Sequence, residues 1–116
     1  MIGLDGRLID FATSVMRLSN RLARSPAGRY VANQLMRSSA SAGANYQEAC
    51  GAESRTDFVH KLQLVLKELR ESGYWLRLID RSGMAPGDTL KGLLDESEQL
   101  VKILAKSVVT AKSRTK

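Results

Sequence analysis

The chain has 116 residues, carries 18 Lys or Arg against 12 Asp or Glu for a formal net charge of +6, and contains a single cysteine, Cys50. That length fits one domain, residues 1–116, able to bury roughly 65–70% of its unfolded surface without staples. A lone cysteine excludes an intrachain disulfide and reads as a reduced, cytoplasmic chain, while the opening Met1-Ile2-Gly3-Leu4-Asp5-Gly6-Arg7 is no signal peptide and no apolar run approaches a membrane span.

The first predicted helix covers about 5–23, with apolar Leu4, Leu8, Phe11, Val15, Leu18 and Leu22 at helical spacing. Arg17, Arg21 and Arg24 step by 4 and 3 and so fall on one face. The second starts at Ser25-Pro26, a capping hydroxyl before a proline at the first helical position, and runs over 26–50. Its stripe is Val31, Leu35, Ser38, Ala42, Asn45 and Ala49, small and polar where a core helix normally carries Leu. Small residues let neighbouring backbones approach, and a buried Asn45 must find partners or lower stability.

After Gly51, the run Ser54-Arg55-Thr56-Asp57 is a capping box with Asp in place of Glu, opening a third helix over 55–82. Its inward stripe is Phe58, Leu62, Val65, Leu69, Ser72, Leu76 and Ile79. A second stripe, Gln63, Lys67, Arg70, Tyr74, Arg77 and Arg81, is basic. The break Ser82-Gly83-Met84-Ala85-Pro86-Gly87-Asp88 leads to a fourth helix over 88–112, with Leu90, Leu94, Ser97, Val101, Leu104 and Val108, then a frayed basic tail at 112–116. No alternation of strand type competes. Four amphipathic helices on short connections predict an all-α, antiparallel up-down four-helix bundle.

Apolar residues exceed what one small core needs: Leu64, Leu66, Trp75 and Leu78 on the third helix, Ile9 and Met16 on the first. Homo-oligomerisation is the preferred explanation, and a wide stripe buried within one chain is the alternative.

Catalytic chemistry finds little support. Glu48, Glu68, Glu71 and Glu96 are candidates to converge inside a bundle, but a di-iron site needs Glu-x-x-His from two helices, and the one histidine, His60, lies elsewhere. A structural polar network of Arg37, Ser38, Asn45, Glu48, Glu68 and Glu71 that sets helix register is the better expectation. Cys50 and His60 flank the second turn without an orienting third group, and Ser41-Ala42-Gly43-Ala44-Asn45 matches neither a P-loop nor a dinucleotide fingerprint. The chain is therefore read as non-enzymatic, with no catalytic residue, metal or cofactor.

Charge is the remaining functional signal. Residues 1–40 carry six arginines against Asp5 and Asp10, residues 41–100 are net acidic, and residues 101–116 hold five basic side chains and no acid. Arg17, Arg21 and Arg24, with Lys67, Arg70, Arg77 and Arg81, are the candidate contacts to RNA or DNA through counterion release. The plain alternative is solvated helix faces. Aromatics are few and no base-reading motif is present.

Gln34-Leu35-Met36-Arg37-Ser38, Ser41, Asn45-Tyr46-Gln47-Glu48-Ala49 and Asp57-Phe58 together resemble the signature of the rRNA intervening-sequence proteins, also called four-helix-bundle proteins. Lys67-Glu68-Leu69-Arg70-Glu71-Ser72-Gly73-Tyr74-Trp75-Leu76 and Glu96-Ser97-Glu98-Gln99-Leu100 are similar to one branch of that family. The resemblance spans nearly the whole chain. It departs at Ala49, where many relatives carry Gly, which implies a local difference at the end of the second helix. It implies an antiparallel four-helix bundle assembled as a homopentameric ring, without an assigned activity. Relatives tied to diversity-generating retroelements are basic accessory subunits that engage a reverse transcriptase and nucleic acid. Arg37, Ser38, Asn45 and Glu48 are signature positions that look structural. The resulting expectation is a cytoplasmic, homo-oligomeric scaffold or adaptor with electrostatic affinity for RNA or DNA. The alternative is a protein-interaction module, for example a reverse-transcriptase accessory subunit. No membrane partner is expected.

Overall fold

The computed structural model describes residues 3–85 and 87–114, so that Met1, Ile2, Pro86 of the third break, and Thr115 and Lys116 of the basic tail lie outside the described residues. It contains α1 (Leu4–Leu22), α2 (Pro26–Cys50), α3 (Arg55–Ser82) and α4 (Gly87–Ser113), with no strand among the described residues.

Local chemistry accounts for the boundaries. The Ser25 hydroxyl accepts from the Gly28 amide at 3.0 Å, with Pro26 in the first turn, where its missing N–H has no intrahelical partner to lose. Ser54 does the same for the Asp57 amide at 3.0 Å. α3 ends at Gly83, whose φ of 71° is the left-handed conformation that ends helices and favours glycine. Gly28 serves a different need: a methyl group there would lie 1.9 Å from the Leu22 carbonyl oxygen, so glycine alone lets α2 begin against the end of α1. Because α1 stops at Leu22, Arg24 lies in the connection and not on the α1 face shared by Arg17 and Arg21. At the other end, Lys112 and Ser113 of the expected frayed tail are still helical.

Sequential helices are neighbours, α4 closes back on α1, and the diagonal pairs make no close backbone approach. Contacts along α2 and α3 run antiparallel, from Glu48 with Lys61 to Ser38 with Ser72. The body measures 49 × 24 × 21 Å. The α2–α3 interface is the most extensive and the α1–α4 interface the thinnest.

The core takes Leu8, Phe11, Val15, Leu18 and Leu22 from α1, and Leu62, Val65, Leu69, Leu76 and Ile79 from α3. From α2 it takes Val31, Leu35, Ser38, Ala42 and Ala49, all buried, whereas Asn45 is only half-buried. On α4 the phase differs from expectation. Leu93 and Leu100 are buried beside Leu90, Ser97, Leu104 and Val108, while Leu94 and Val101 are half-buried. A bundle helix covers two neighbours, so its buried arc is wider than a two-position seam. Leu93 lies next to α1 residues Asp10 and Phe11, and Val101 borders a groove against α3.

The surplus apolar residues divide. Leu64, Leu66 and Trp75 are half-buried within the chain, while Ile9 (58%), Met16 (57%) and Leu78 (38%) remain exposed, as do Tyr30, Tyr74 and Val109.

One asymmetry shapes the molecule. α1 has 19 residues against 28 in α3 and 27 in α4. Arg7, in the first turn of α1, pairs with Glu96 in the middle of α4. Residues 104–113 of α4 therefore run past the start of α1, about 15 Å of helix at 1.5 Å per residue.

Candidate nucleic-acid interface

Helical periodicity puts Gln63, Lys67, Arg70, Tyr74, Arg77 and Arg81 on one face of α3, and every one of them is exposed. The stripe spans about 27 Å of helix axis. The ion pairs among the described residues use Arg7, Arg37 and Lys61, so Lys67, Arg70, Arg77 and Arg81 make none. Arg70 and Arg77 border a cleft of about 370 Å³ between α3 and α4, floored by Leu69, Gly73 and Val101, with Lys102 and Glu98 on its α4 side.

Arg17, Arg21 and Arg24 are exposed too. Arg21 and Arg24 meet at a cleft of about 480 Å³ at the α1–α2 turn, which also includes Ser25, Gly28 and Met84. Arg81 closes α3 at this same end of the bundle. The candidate cations thus fall into a group at the turn end and a longitudinal stripe on α3. Lys102 joins that stripe across the α3–α4 groove. Sequence reasoning counted Lys102 only in the basic C-terminal segment, because nothing local to it shows which helix lies alongside.

The expected polar network resolves into three pieces. Arg37 on α2 reaches across to α3, where Nη1 contacts Glu68 Oε2 at 3.1 Å and Nη2 pairs with Glu71. The Trp75 indole N–H donates to the same Glu71 carboxylate at 3.0 Å. That indole bond, reinforced by Arg37, holds the Glu71 carboxyl below the usual carboxylate range, and the bond to Glu71 in turn pushes Arg37 up. Beside it, the buried Ser38 and Ser72 hydroxyls share a 2.8 Å hydrogen bond, and Ser72 also donates to the Glu68 carbonyl. Asn45 does not join. Its amide donates to the Ser41 carbonyl at 2.9 Å and the Ser41 hydroxyl at 3.0 Å on its own helix. Glu48 accepts from Lys61 at 2.9 Å near the α2–α3 turn.

Glu96 belongs to a fourth place, taking Arg7 in two bonds of 3.1 and 2.7 Å. The four carboxylates considered for a metal are thus spread over three separate sets of ion pairs, and no group of three His, Cys, Asp or Glu side chains gathers among the described residues. Cys50 and His60 are both exposed. The Tyr46 phenol is pushed up by burial and by a hydrogen bond with Cys50.

An aromatic cluster escaped the sequence reading. The Trp75 ring meets Tyr74 edge-on at 5.0 Å and Tyr30 of α2 edge-on at 5.9 Å. Its only sequence signal was the Tyr74-Trp75 pair, since Tyr30 arrives from another helix. Tyr74 places an exposed ring within the basic stripe. No helix of the described residues is long and apolar enough to cross a membrane.

The chain is similar in structure to a protein of unknown function from the S23 ribosomal protein family of Bacteroides thetaiotaomicron, at 30% identity and a TM-score of 0.85. The similarity covers 91% of this chain and 98% of that one. No curated protein matches the chain. A family model, 23S rRNA-intervening sequence protein, matches residues 7–106, the whole of the bundle but its two ends. With the Arg37 signature locking α2 to α3 and the match running through all four helices, the chain belongs to the 23S rRNA-intervening sequence protein family.

Proposed function

We propose that this protein is a non-enzymatic, cytoplasmic scaffold that assembles into a homopentameric ring and binds RNA or DNA through its basic faces. The observation that carries the reading is the α3 stripe, where Lys67, Arg70, Arg77 and Arg81 stand exposed and free of ion pairs among the described residues. Such cations release counterions from a polyanion on contact, a gain that cations already neutralised by carboxylates forfeit. Arg17, Arg21 and Arg24 add a second basic group, and repetition around a ring multiplies the field. Exposed Ile9, Met16 and Val109 supply apolar surface for self-association.

Size-exclusion chromatography with light scattering, in low and high salt with the nucleic-acid absorbance recorded, tests both parts. The reading requires a discrete oligomer carrying nucleic acid that high salt strips away. Alanine at any one contacting cation should flatten the dependence of log K on log salt by about one unit. Binding indifferent to salt, or none at low salt, refutes the nucleic-acid role, and a monomer refutes the ring.

A second reading, a protein-interaction module such as a reverse-transcriptase accessory subunit, draws on the same exposed Ile9, Met16 and Val109. It predicts that alanine at Arg17, Arg21 and Arg24 leaves function intact, while polar substitutions at the apolar positions abolish it.

A further inference from the structure

Tyr74 is the one aromatic residue on the basic stripe of α3, and it sits among the cations. Arg70 lies one turn before it, Arg77 and Leu78 one turn after, and Arg81 two turns on. No acid falls on the stripe between Gln63 and Arg81. The Tyr74 ring is 52% exposed, and that of Tyr30, across on α2, 59%. Between them Trp75 is half-buried and meets each edge-on. The indole is itself held: its N–H donates to Glu71, and Glu71 pairs with Arg37 of α2. The exposed rings thus rest on a side chain fixed by the α2–α3 lock, and a ring fixed in advance loses little freedom when a ligand stacks on it.

The other edge of the stripe is a cationic groove. Arg70 and Arg77, with Lys102 of α4, border the cleft of about 370 Å³ between α3 and α4, and Glu98 is the one acid in its lining. Across the width of a single helix the surface passes from cations to aromatic rings.

These features select between forms of nucleic acid. The major groove of a duplex is about 12 Å wide and admits one helix. α3 is flanked by α2 and α4 in a body 24 by 21 Å across, so it meets a duplex along the backbone alone. There the aromatic rings have no partner, because paired bases are already stacked on one another. A single strand supplies both phosphates for the cations and open base faces for the rings.

We infer that α3 binds single-stranded nucleic acid, the backbone following Arg70, Arg77 and Lys102 along the α3–α4 groove while a base stacks on Tyr74, with Tyr30 open to a second. The inference rests on the nucleic-acid reading of the α3 stripe and names the form of the polyanion.

The test uses the full-length protein and fluorescein-labelled twenty-nucleotide strands of mixed sequence, DNA and RNA, beside the DNA duplex of the same length. Anisotropy at matched salt should show a single strand bound at least fivefold tighter than the duplex. Phosphate contacts alone predict the reverse, because the duplex carries the denser charge. Trp75 is the only tryptophan of the chain, so its emission reports on this cluster. Unlabelled single strand should change that emission, and duplex should not. Tyr74→Ala, at an exposed position, should weaken single-strand binding about tenfold, move duplex binding less than twofold and leave the salt slope unchanged. Tyr74→Phe, which keeps the ring, should restore the affinity.

Salt-sensitive binding that is as tight for duplex, that Tyr74→Ala leaves unchanged, or that Tyr74→Phe fails to restore overturns the inference while the basic-face reading stands. No binding of any strand at low salt overturns both. A changed oligomer mass of Tyr74→Ala in light scattering assigns the ring to self-association and overturns the inference. So does a twelve-residue peptide of alternating Glu and Leu that binds tighter than either strand and is lost in Tyr74→Ala, which assigns the face to a polypeptide.

Discussion

The α2–α3 and α1–α4 interfaces are both helix pairs in one bundle, built by different means. Between α2 and α3 the buried seam is Ser38, Ala42 and Ser72, so the backbones approach closely, and Arg37 bonds across the edge to Glu68 and Glu71, the latter also held by Trp75 of its own helix. Between α1 and α4 the helices touch sparingly, Arg7 spans them to Glu96 and Gln99, and a cleft of about 230 Å³ opens between Phe11 and Leu93. The first interface specifies a register, and the second only completes the burial of a core. Polar partners with fixed geometry distinguish one register from its neighbours, whereas Leu side chains tolerate small slips.

Substitutions sharpen that contrast. Leu35→Ala, at a fully buried position on α2, should cost about 4 kcal/mol, and Leu93→Ala beside the open cleft about 2 kcal/mol, by chemical denaturation. Equal losses would mean that the two interfaces are packed alike. Ser38→Leu should follow at about 3 kcal/mol, because a larger side chain has no room against Ser72 and must force α2 and α3 apart. A stabilised Ser38→Leu variant would show that the small-residue seam is slack and not a close contact.

Smaller effects come from the charges. Arg7→Ala should cost under about 1 kcal/mol, since Arg7 and Glu96 are each about 30% exposed and water screens the pair. Amide exchange in the first turns of α1 should nonetheless quicken, while α2 and α3 exchange as before. The carboxyl of Glu71 is held below its unfolded value, so its contribution to stability is complete above that unfolded value. It fades as pH falls through the lower, folded one. Glu71→Gln should accordingly flatten the acid limb of the stability curve, and an unchanged limb would remove Glu71 from the α2–α3 lock. Smallest is Ser19→Ala. The buried Ser19 hydroxyl has no partner among the described residues, and its removal should be neutral or stabilising by up to about 1 kcal/mol in thermal denaturation.

Part of this was legible in the residues. Ser25-Pro26, Ser54 and Gly83 act within a few residues of themselves, so the ends of α2 and α3 could be read directly. Arg37 with Glu68 and Glu71 was also readable, because residues on facing stripes of successive helices have few other places to go. Asn45 was misplaced for a local reason: the hydroxyl and carbonyl of Ser41, one turn back, satisfy its amide without any help from α3. Arg24 was placed on α1 because a 4,3 step looks helical even where the helix has ended.

By itself the sequence determined four amphipathic helices, where they start and stop, and the small-residue seam of α2, since caps, prolines and periodicity operate over one or two turns. Tertiary structure decided which side of α4 is buried, that Tyr30 meets Trp75, and that Lys102 joins the α3 stripe. These depend on which helices lie alongside and how their lengths compare, and no stretch of one helix encodes the length or tilt of its neighbour.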